Sequence, residues 1–370
     1  MRYYIIAGEH SGDMHGADLI RQLKAIDGHA DFWACGGGQM SQAIGEPCRV
    51  DGSTMAYMGI DFLKKWYTLW KLLKFCQKSL LDYRPDVVIL IDYSGFNMRL
   101  APFAKRHGFQ VHYYIPPKIW AHGRQRIEKI KQYVDHVWSI LPFEAAYYHA
   151  QGYDAIDYVG NPLVQSVADY AINPDFRAAN KLDERPIVAL LPGSRLDEIR
   201  RLLPLMVAQA EHFKAYQFVV AGLRAMPASL YQAICPPTVQ LVYDQTYDLM
   251  AVAQAGVIAS GTASLEAALF DLPQIVVYKT HPFAYWFYKW VVTVKHISLV
   301  NLLMHHPVVP ELIQYQLTGN KLCIALQDLL SGHGRVQQKE AYAVVRRLLG
   351  QQHAAGAVAK CIVAHTKRTV

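Results

Sequence analysis

Residues 187–200, IVALLPGSRLDEIR, carry the pattern that decides the fold. The apolar run Ile187 to Leu191 stops at the turn Pro192-Gly193-Ser194-Arg195, and a helical pattern opens near Asp197. A run that is apolar at every position, rather than at alternate ones, reads as a strand of a parallel sheet covered on both faces. The same grammar repeats upstream. Tyr3 to Ala7 stops at Gly8, ahead of a helix carrying Ala17, Leu19, Ile20, Leu23 and Ile26, and Phe32 to Ala34, Asp86 to Ile91 and Val111 to Ile115 read as further strands. Downstream, Gln217 to Ala221, Val239 to Val242, Gly256 to Ala259 and Gln274 to Tyr278 do the same. Residues 172–186, INPDFRAANKLDERP, are polar and punctuated by proline, and read as a linker. The expectation is an α/β chain of two doubly wound halves, residues 1–172 and 173–335, with a helical tail at 336–370. That tail either crosses back to the first half or reaches a partner subunit. Ligands of such sheets bind beyond the carboxyl ends of the strands, which places the expected site in a cleft between the halves.

Composition agrees with a globular protein. At ~150 residues per domain, 370 residues make two to three domains. Apolar residues are 52%, charged residues 18% and mean hydropathy is +0.05, which excludes collagen, coiled-coil rods and acidic disordered tails. The charge-free stretch 249–265 contains Gln254, Gly256, Ser260, Gly261, Thr262 and Ser264, a strand–turn pattern rather than a span of ~20 lipid-facing residues. Only Tyr3 to Ala7 separate Arg2 from Gly8, too short for a signal-peptide core. A cytoplasmic chain is expected. Its six cysteines lie far apart with no CxxC pair and read as reduced thiols. The net charge of +7 suits nucleic acid, an anionic membrane or a phosphorylated ligand, and its distribution has to decide among them.

Residues 62–80, FLKKWYTLWKLLKFCQKSL, contain five lysines and no acid. At ~100° per residue, Phe62, Trp66, Leu69, Leu73, Cys76 and Leu80 share one stripe, and Lys64, Lys71 and Lys78 lie opposite. One reading is an amphipathic helix with a solvated basic face. The other is an interfacial helix that docks on anionic lipid through Trp66, Trp70, Lys64, Lys71 and Lys74. A second aromatic and basic stretch, Pro282 to His296, favours lipid. Nucleic acid has no continuous basic track and no reader motif.

Three constellations could carry chemistry. At Leu191 to Arg195 a glycine turn offers backbone N–H groups and an arginine that can fork onto phosphate, although a plain strand-to-helix turn looks the same. Ser260-Gly-Thr-Ala-Ser-Leu-Glu266 repeats the arrangement, with a carboxylate placed to accept ribose hydroxyls. Two such elements in one half indicate a nucleotide diphosphate. Neither is a Walker A loop or a GxGxxG turn. In the first half, Gly8-Glu-His-Ser-Gly-Asp13 and Ile91-Asp92-Tyr93-Ser94-Gly95-Phe96-Asn97 each follow a strand. Asp92 directly after an apolar run reads as a general base or a helix cap, and Glu9, His10 and Asp13 compete for the basic role. The histidines lack metal-ligand spacing, so no metal or other cofactor is expected, and no GxSxG elbow supports serine hydrolysis.

Taken in order, the motifs resemble the lipid-A-disaccharide synthase family, inverting glycosyltransferases of GT-B architecture with two Rossmann-like halves. They are GEHSGDMHG at 8–16, MGI at 58–60, IDYSGFN at 91–97, YYIPPKIWA at 113–121, LPFE at 141–144, VGNPL at 159–163, LPGSRLDEI at 191–199, SGTASLEAAL at 260–269, VVYK at 276–279, SLVNLL at 298–303 and PELIQ at 310–314. The resemblance implies transfer of a sugar from UDP-2,3-diacylglucosamine to 2,3-diacylglucosamine 1-phosphate (lipid X), giving the β-1,6 disaccharide 1-phosphate and UDP. It also implies peripheral association with the cytoplasmic face of the inner membrane, and a homodimer. Asp92 would take the proton of the acceptor 6-hydroxyl. Gly193, Ser194, Arg195, Ser260, Gly261, Thr262, Ala263, Ser264 and Glu266 would bind UDP, with Asn301, Glu311 and Gln314 lining the same pocket.

Five positions depart from the commoner family pattern. Ser94 and Gly95 stand where IDxPDFN has proline and aspartate, His10 where alanine is usual, Asn161 within VGHPL, and His122 within WAW. Asp92 is then the sole carboxylate of its motif, and His10 is its competitor as base. The alternatives are another UDP-N-acetylglucosamine enzyme of the same architecture (the lipid II-forming transferase or the 2-epimerase) or a non-catalytic nucleotide- or lipid-binding homologue.

Overall fold

The computed structural model describes the chain apart from residues 9, 52–61, 122, 292–293 and 370. Glu9, His122 and the MGI motif therefore lie outside the described residues, as do the side chains of His10, Lys64 and Trp66. Two compact units form, Met1–Pro162 with Gln351–Val370, and Leu163–Gly350.

The first unit holds a seven-stranded parallel sheet: β1 (Arg2–Ala7), β2 (Asp31–Gly36), β3 (Val50–Asp51), β4 (Val87–Ile91), β5 (Gln110–Tyr114), β6 (His136–Ser139) and β7 (Ile156–Tyr158). Their order is β3-β2-β1-β4-β5-β6-β7, so the winding reverses between β1 and β4. Alternate residues of β1 enter separate cores: Tyr4 and Ile6 pack with Leu80, Val88 and Phe96, and Tyr3 and Ile5 with Leu19, Leu23 and Ile362. Burial on both faces is why the strand is apolar throughout.

The second unit holds six parallel strands, β8 (Ile187–Leu191), β9 (Gln217–Gly222), β10 (Gln240–Tyr243), β11 (Ala255–Ala259), β12 (Gln274–Tyr278) and β13 (Glu311–Ile313), in the order β10-β9-β8-β11-β12-β13. Its reversal lies between β8 and β11. Val188 and Leu190 face one core, and Ile187, Ala189 and Leu191 the other. The strands that the pattern did not foresee, β3, β6, β7 and β13, have two to four residues. β6 and β13 also carry polar residues inside the sheet, which breaks the apolar signature.

The expected linker is part of the second unit. Tyr170 donates to Asp248 at 2.9 Å, the Asn173 N–H reaches the same carboxylate at 2.8 Å, and Phe176 and Leu182 are buried against Leu249 and Leu272. These contacts place the change of unit at Pro162–Leu163, not near 172. The tail also divides. The helix His333–Leu349 stays with the second unit, where Gln338 and Tyr342 hold Gln274 and Arg346 meets Asp271 at 2.7 Å. After Gly350 the helix Ala354–Thr369 joins the first unit, burying Val358, Ala359 and Ile362 in the core shared with β1.

Candidate active site

In the first unit, Ala7 and Ile91 are register partners at the point where the sheet reverses, so Gly8 and Asp92 leave it side by side. Gly8 is required by close approach, since a Cβ there would overlap the Tyr93 ring. Asp92 and Tyr93 both adopt left-handed backbone, with φ of +47° and +38°. Each costs roughly 1–2 kcal/mol relative to ordinary backbone and persists only where surroundings enforce it. Here they do. The Asp92 N–H donates to the Tyr114 carbonyl at 3.1 Å, and its own carbonyl accepts from the Tyr113 hydroxyl at 2.6 Å and from Asn97 Nδ2 at 2.9 Å. Asn97 is fully buried and also donates to the Ile91 carbonyl. The helix Ser94–Arg106 starts from this clamp.

Burial pushes the Asp92 carboxyl above its ordinary pKa, opposed by the Lys118 ammonium and the Tyr93 N–H. A carboxylate of raised basicity, held at a topological switch point, suits a general base. Asp13 is placed differently. Its oxygens accept from the N–H groups of Gly37, Gln39 and Met40 at 2.6, 3.0 and 3.1 Å, so it caps the helix Gly38–Ile44 from outside that helix. Competition for the basic role gives way to a capping role at this position.

In the second unit, the loops after β8 and β11 flank the other switch point. Gly193 has φ of +99°, and a Cβ there would overlap the Glu198 carboxylate. Ser194 is exposed, and Arg195 projects into solvent at 79% exposure, its Nη1 3.1 Å from Glu198 Oε1. Gly261 and Thr262 are exposed, and Ser260 Oγ donates to the Ile297 carbonyl at 3.1 Å. Ala263 opens the short helix Ala263–Leu269. Ser264 is fully buried and donates to the Gly261 carbonyl at 2.8 Å, closing the turn rather than facing a ligand. Glu266 accepts from the Tyr247 hydroxyl at 2.7 Å, and burial raises its pKa while that hydroxyl lowers it.

Three further residues differ from the expectation of direct pocket lining. Asn301 is fully buried, donates to the Val309 carbonyl and Glu311, and accepts the N–H groups of Val308 and Val309. Glu311 accepts the N–H groups of Ile297 and Ser298. Gln314 exchanges two 3.0 Å bonds with the backbone of Thr280. Their polar atoms hold the protein's own backbone, which would otherwise be buried unpaired. They fix the shape of the segments beyond β12 and β13.

Two further groups stand beside these residues. Tyr247, which orients Glu266, comes from the helix Thr246–Val252 and carries no local signal. Lys118, within YYIPPKIWA, is an exposed cation just beyond an apolar strand.

A family model described as lipid-A-disaccharide synthetase matches residues 3–365. The lipid-A-disaccharide synthase of Myxococcus xanthus is 36% identical, covering 98% of this chain and 97% of that protein. The Nitrosococcus oceani enzyme of the same name is 34% identical over 93% of this chain and 91% of its own. Among solved structures, the UDP-GlcNAc 2-epimerase of Neisseria meningitidis bound to UDP-GlcNAc has a TM-score of 0.69 at 12% identity, with full coverage of both chains. At that identity the likeness speaks for the shared α/β fold alone.

Proposed function

The chain belongs to the lipid-A-disaccharide synthase family, and from that premise we propose how its residues divide the reaction. It is a glycosyltransferase of lipid A biosynthesis that takes a UDP-sugar and lipid X. In this reading Asp92 removes the proton of the acceptor 6-hydroxyl while that oxygen attacks the anomeric carbon of UDP-2,3-diacylglucosamine. The bond from that carbon to the diphosphate breaks, and UDP leaves with inversion to the β-1,6 linkage. Arg195 and the N–H groups of the Gly193–Ser194 and Gly261–Thr262 turns offset the charge that develops on the leaving diphosphate. Glu266, oriented by Tyr247, takes the ribose hydroxyls. Asn301, Glu311 and Gln314 act one layer behind, by holding the pocket's backbone. The observation that carries this reading is the strained, doubly clamped Asp92 with its raised basicity.

Asp92→Asn and His10→Ala, made separately, test it. UDP release that requires lipid X, with a disaccharide of matching mass, should slow by roughly 10²–10⁴ in the Asp92 variant while UDP binding persists. Near-normal turnover in that variant, with loss in the His10 variant, would transfer the role of base to His10.

Peripheral docking on the cytoplasmic face of the inner membrane belongs to the same proposal. Among the described residues no helix is long and apolar enough to cross a membrane. The helix Phe62–Tyr83 exposes Tyr67, Trp70 and Phe75, with Lys71 over the Tyr67 ring at 4.4 Å and Lys74 over Trp70 at 5.9 Å. In the helix Pro282–Val291, Phe283, Trp286 and Trp290 are between 71% and 86% exposed. Aromatics beside lysines are the composition that settles at a lipid–water interface. A homodimer is the assembly we propose, and sedimentation in detergent measures it directly.

A further inference from the structure

The loop after β5 is unusually well fixed for a surface segment. Ile115 turns it with φ of +61°, the Ile119 N–H donates to the Pro117 carbonyl at 2.7 Å, and the Tyr148 hydroxyl reaches the same carbonyl at 3.2 Å. Ile119 and Trp120 are buried, and Trp120 Nε1 donates at 2.8 Å to the buried carboxylate of Glu144, which Ser139 also holds. Lys118 alone of this stretch is exposed. It leaves the sheet next to Asp92, because Tyr114 at the end of β5 is the register partner of Ile91. The charges of both Asp92 and Glu144 feel its ammonium.

Arg126 approaches the same place from another element, the helix Arg126–Tyr133. Its Nη1 donates to Ser94 Oγ at 3.3 Å, two residues beyond Asp92, and its charge reaches the Tyr113 hydroxyl that clamps the Asp92 carbonyl. Among the described residues, no carboxylate lies within 4.0 Å of Lys118 or Arg126, whereas Lys105, Lys131 and Arg346 each have such a partner. A half-buried guanidinium bonded to a neutral hydroxyl is poorly compensated by the protein alone. Two cations beside a candidate base, neither of them in an ion pair among the described residues, mark a place for an anion that arrives with substrate.

The acceptor brings one. Its phosphate sits on the anomeric oxygen, and its attacking hydroxyl on C6. Both substituents flank the ring oxygen, so phosphate and nucleophile are one ring-width apart. We propose that Lys118 and Arg126 bind the anomeric phosphate of the acceptor and thereby aim its 6-hydroxyl at Asp92. The inference rests on the reading of Asp92 as base. It assigns recognition of the phosphomonoester to the first unit, apart from the UDP-binding loops of the second.

The test uses the full chain in detergent, the UDP-diacylglucosamine donor, and two acceptors: 2,3-diacylglucosamine 1-phosphate and the same lipid without its phosphate. Lys118→Gln and Arg126→Gln should each raise KM for the phosphorylated acceptor about ten-fold or more, the loss of a charge-assisted contact. With the phosphate-free acceptor they should change it less than about two-fold on the same scale. Donor KM and UDP affinity should stay as in the parent, and Lys118→Arg and Arg126→Lys should recover part of the loss. Equal losses on both acceptors, or no loss on either, would overturn the proposal. If Arg126→Gln melts early, the exposed Lys118 decides the matter alone. Failure of the underlying reading looks different: Asp92→Asn would turn over normally whichever acceptor is supplied.

Discussion

Asp92 combines two costs, a left-handed backbone and a partly desolvated carboxylate, and both bear on measurement. Because burial raises its folded pKa, the ionised form is the one the fold disfavours. Its stabilising contribution is therefore present below the unfolded value and is lost as pH rises through the folded one. Asp92→Asn should then raise the melting temperature at neutral pH while lowering kcat by roughly 10²–10⁴. In the parent, kcat/KM should fall on the acid side with a midpoint above the ordinary carboxylate range near ~4. Calorimetry and a pH–rate profile check both signs. Gly95 makes a second case. A Cβ there meets nothing within 4 Å, and the position lies in the first turn of the helix Ser94–Arg106. Gly95→Asp, restoring the commoner family residue, should stabilise the fold by about 0.5–1 kcal/mol through lost chain entropy and helix-dipole attraction, readable in urea melts. At this scale the sequence distinguishes charges from apolar runs but not ligands from scaffolding. Asp92 stands out because it directly follows a strand, and Glu266 because it lies about one turn into the helix after one. Asp13, Ser264, Asn301, Glu311 and Gln314 stand out equally, and only the hydrogen bonds show that they hold backbone.

The elements were more legible. Period 3.6 in residues 62–80 anticipated the burial of Cys76 and Leu80, and the described side chains of Leu69 and Leu73 pack against the same core. The same pattern puts Trp70 and Phe75 off that stripe, and they stay 52% and 49% exposed, as does Tyr67 at 57%. Replacing both with serine should reduce partition into phosphatidylglycerol vesicles about ten-fold or more while leaving the melting temperature almost unchanged. Vesicle co-sedimentation measures the first and calorimetry the second. Another prediction belongs to the contact of the C-terminal helix with the sheet. There His112, fully buried, lies with ring centroids 6.2 Å from His136 and 6.0 Å from His365, and its Nδ1 accepts from Trp138. Burial, and then the two neighbouring imidazoles, push its pKa down to about 3, while His136 is also lowered despite Asp157 at 2.9 Å. The unfolded chain binds these protons near ~6.5 and the folded chain does not. Stability should therefore decline as pH falls from about 6.5 toward 4, by up to about 1.4 kcal/mol per pH unit for each such group. His112→Gln should flatten that slope in urea titrations at pH 7.5 and 5. Periodicity gives no warning of this cluster, because a histidine inside a strand pattern looks solvated until its neighbours are placed.

At the scale of the molecule, the two-sheet plan was readable because apolar runs, turns and helical stretches recur in both halves. The unit boundaries were not. Polar residues 172–186 imitate a linker, yet two apolar side chains within them, Phe176 and Leu182, anchor the stretch to the second core. The second unit is one continuous segment with two cores of its own. Residues 163–350 expressed alone should fold cooperatively and bind UDP with an affinity within about ten-fold of the whole chain, as titration calorimetry would show. The first unit is discontinuous, and removing residues 351–370 should destabilise it selectively.

That discontinuity has a consequence for biosynthesis. Most multidomain chains fold from the amino terminus onward as they emerge. Here Ile362, Val358 and Ala359, which seal the core shared with β1, are translated only after the whole of the second unit. The second unit can therefore mature on the ribosome while the unit bearing Asp92 waits for its closing helix. A polypeptide stopped after residue 350 would hold a complete second unit and an unsealed first one.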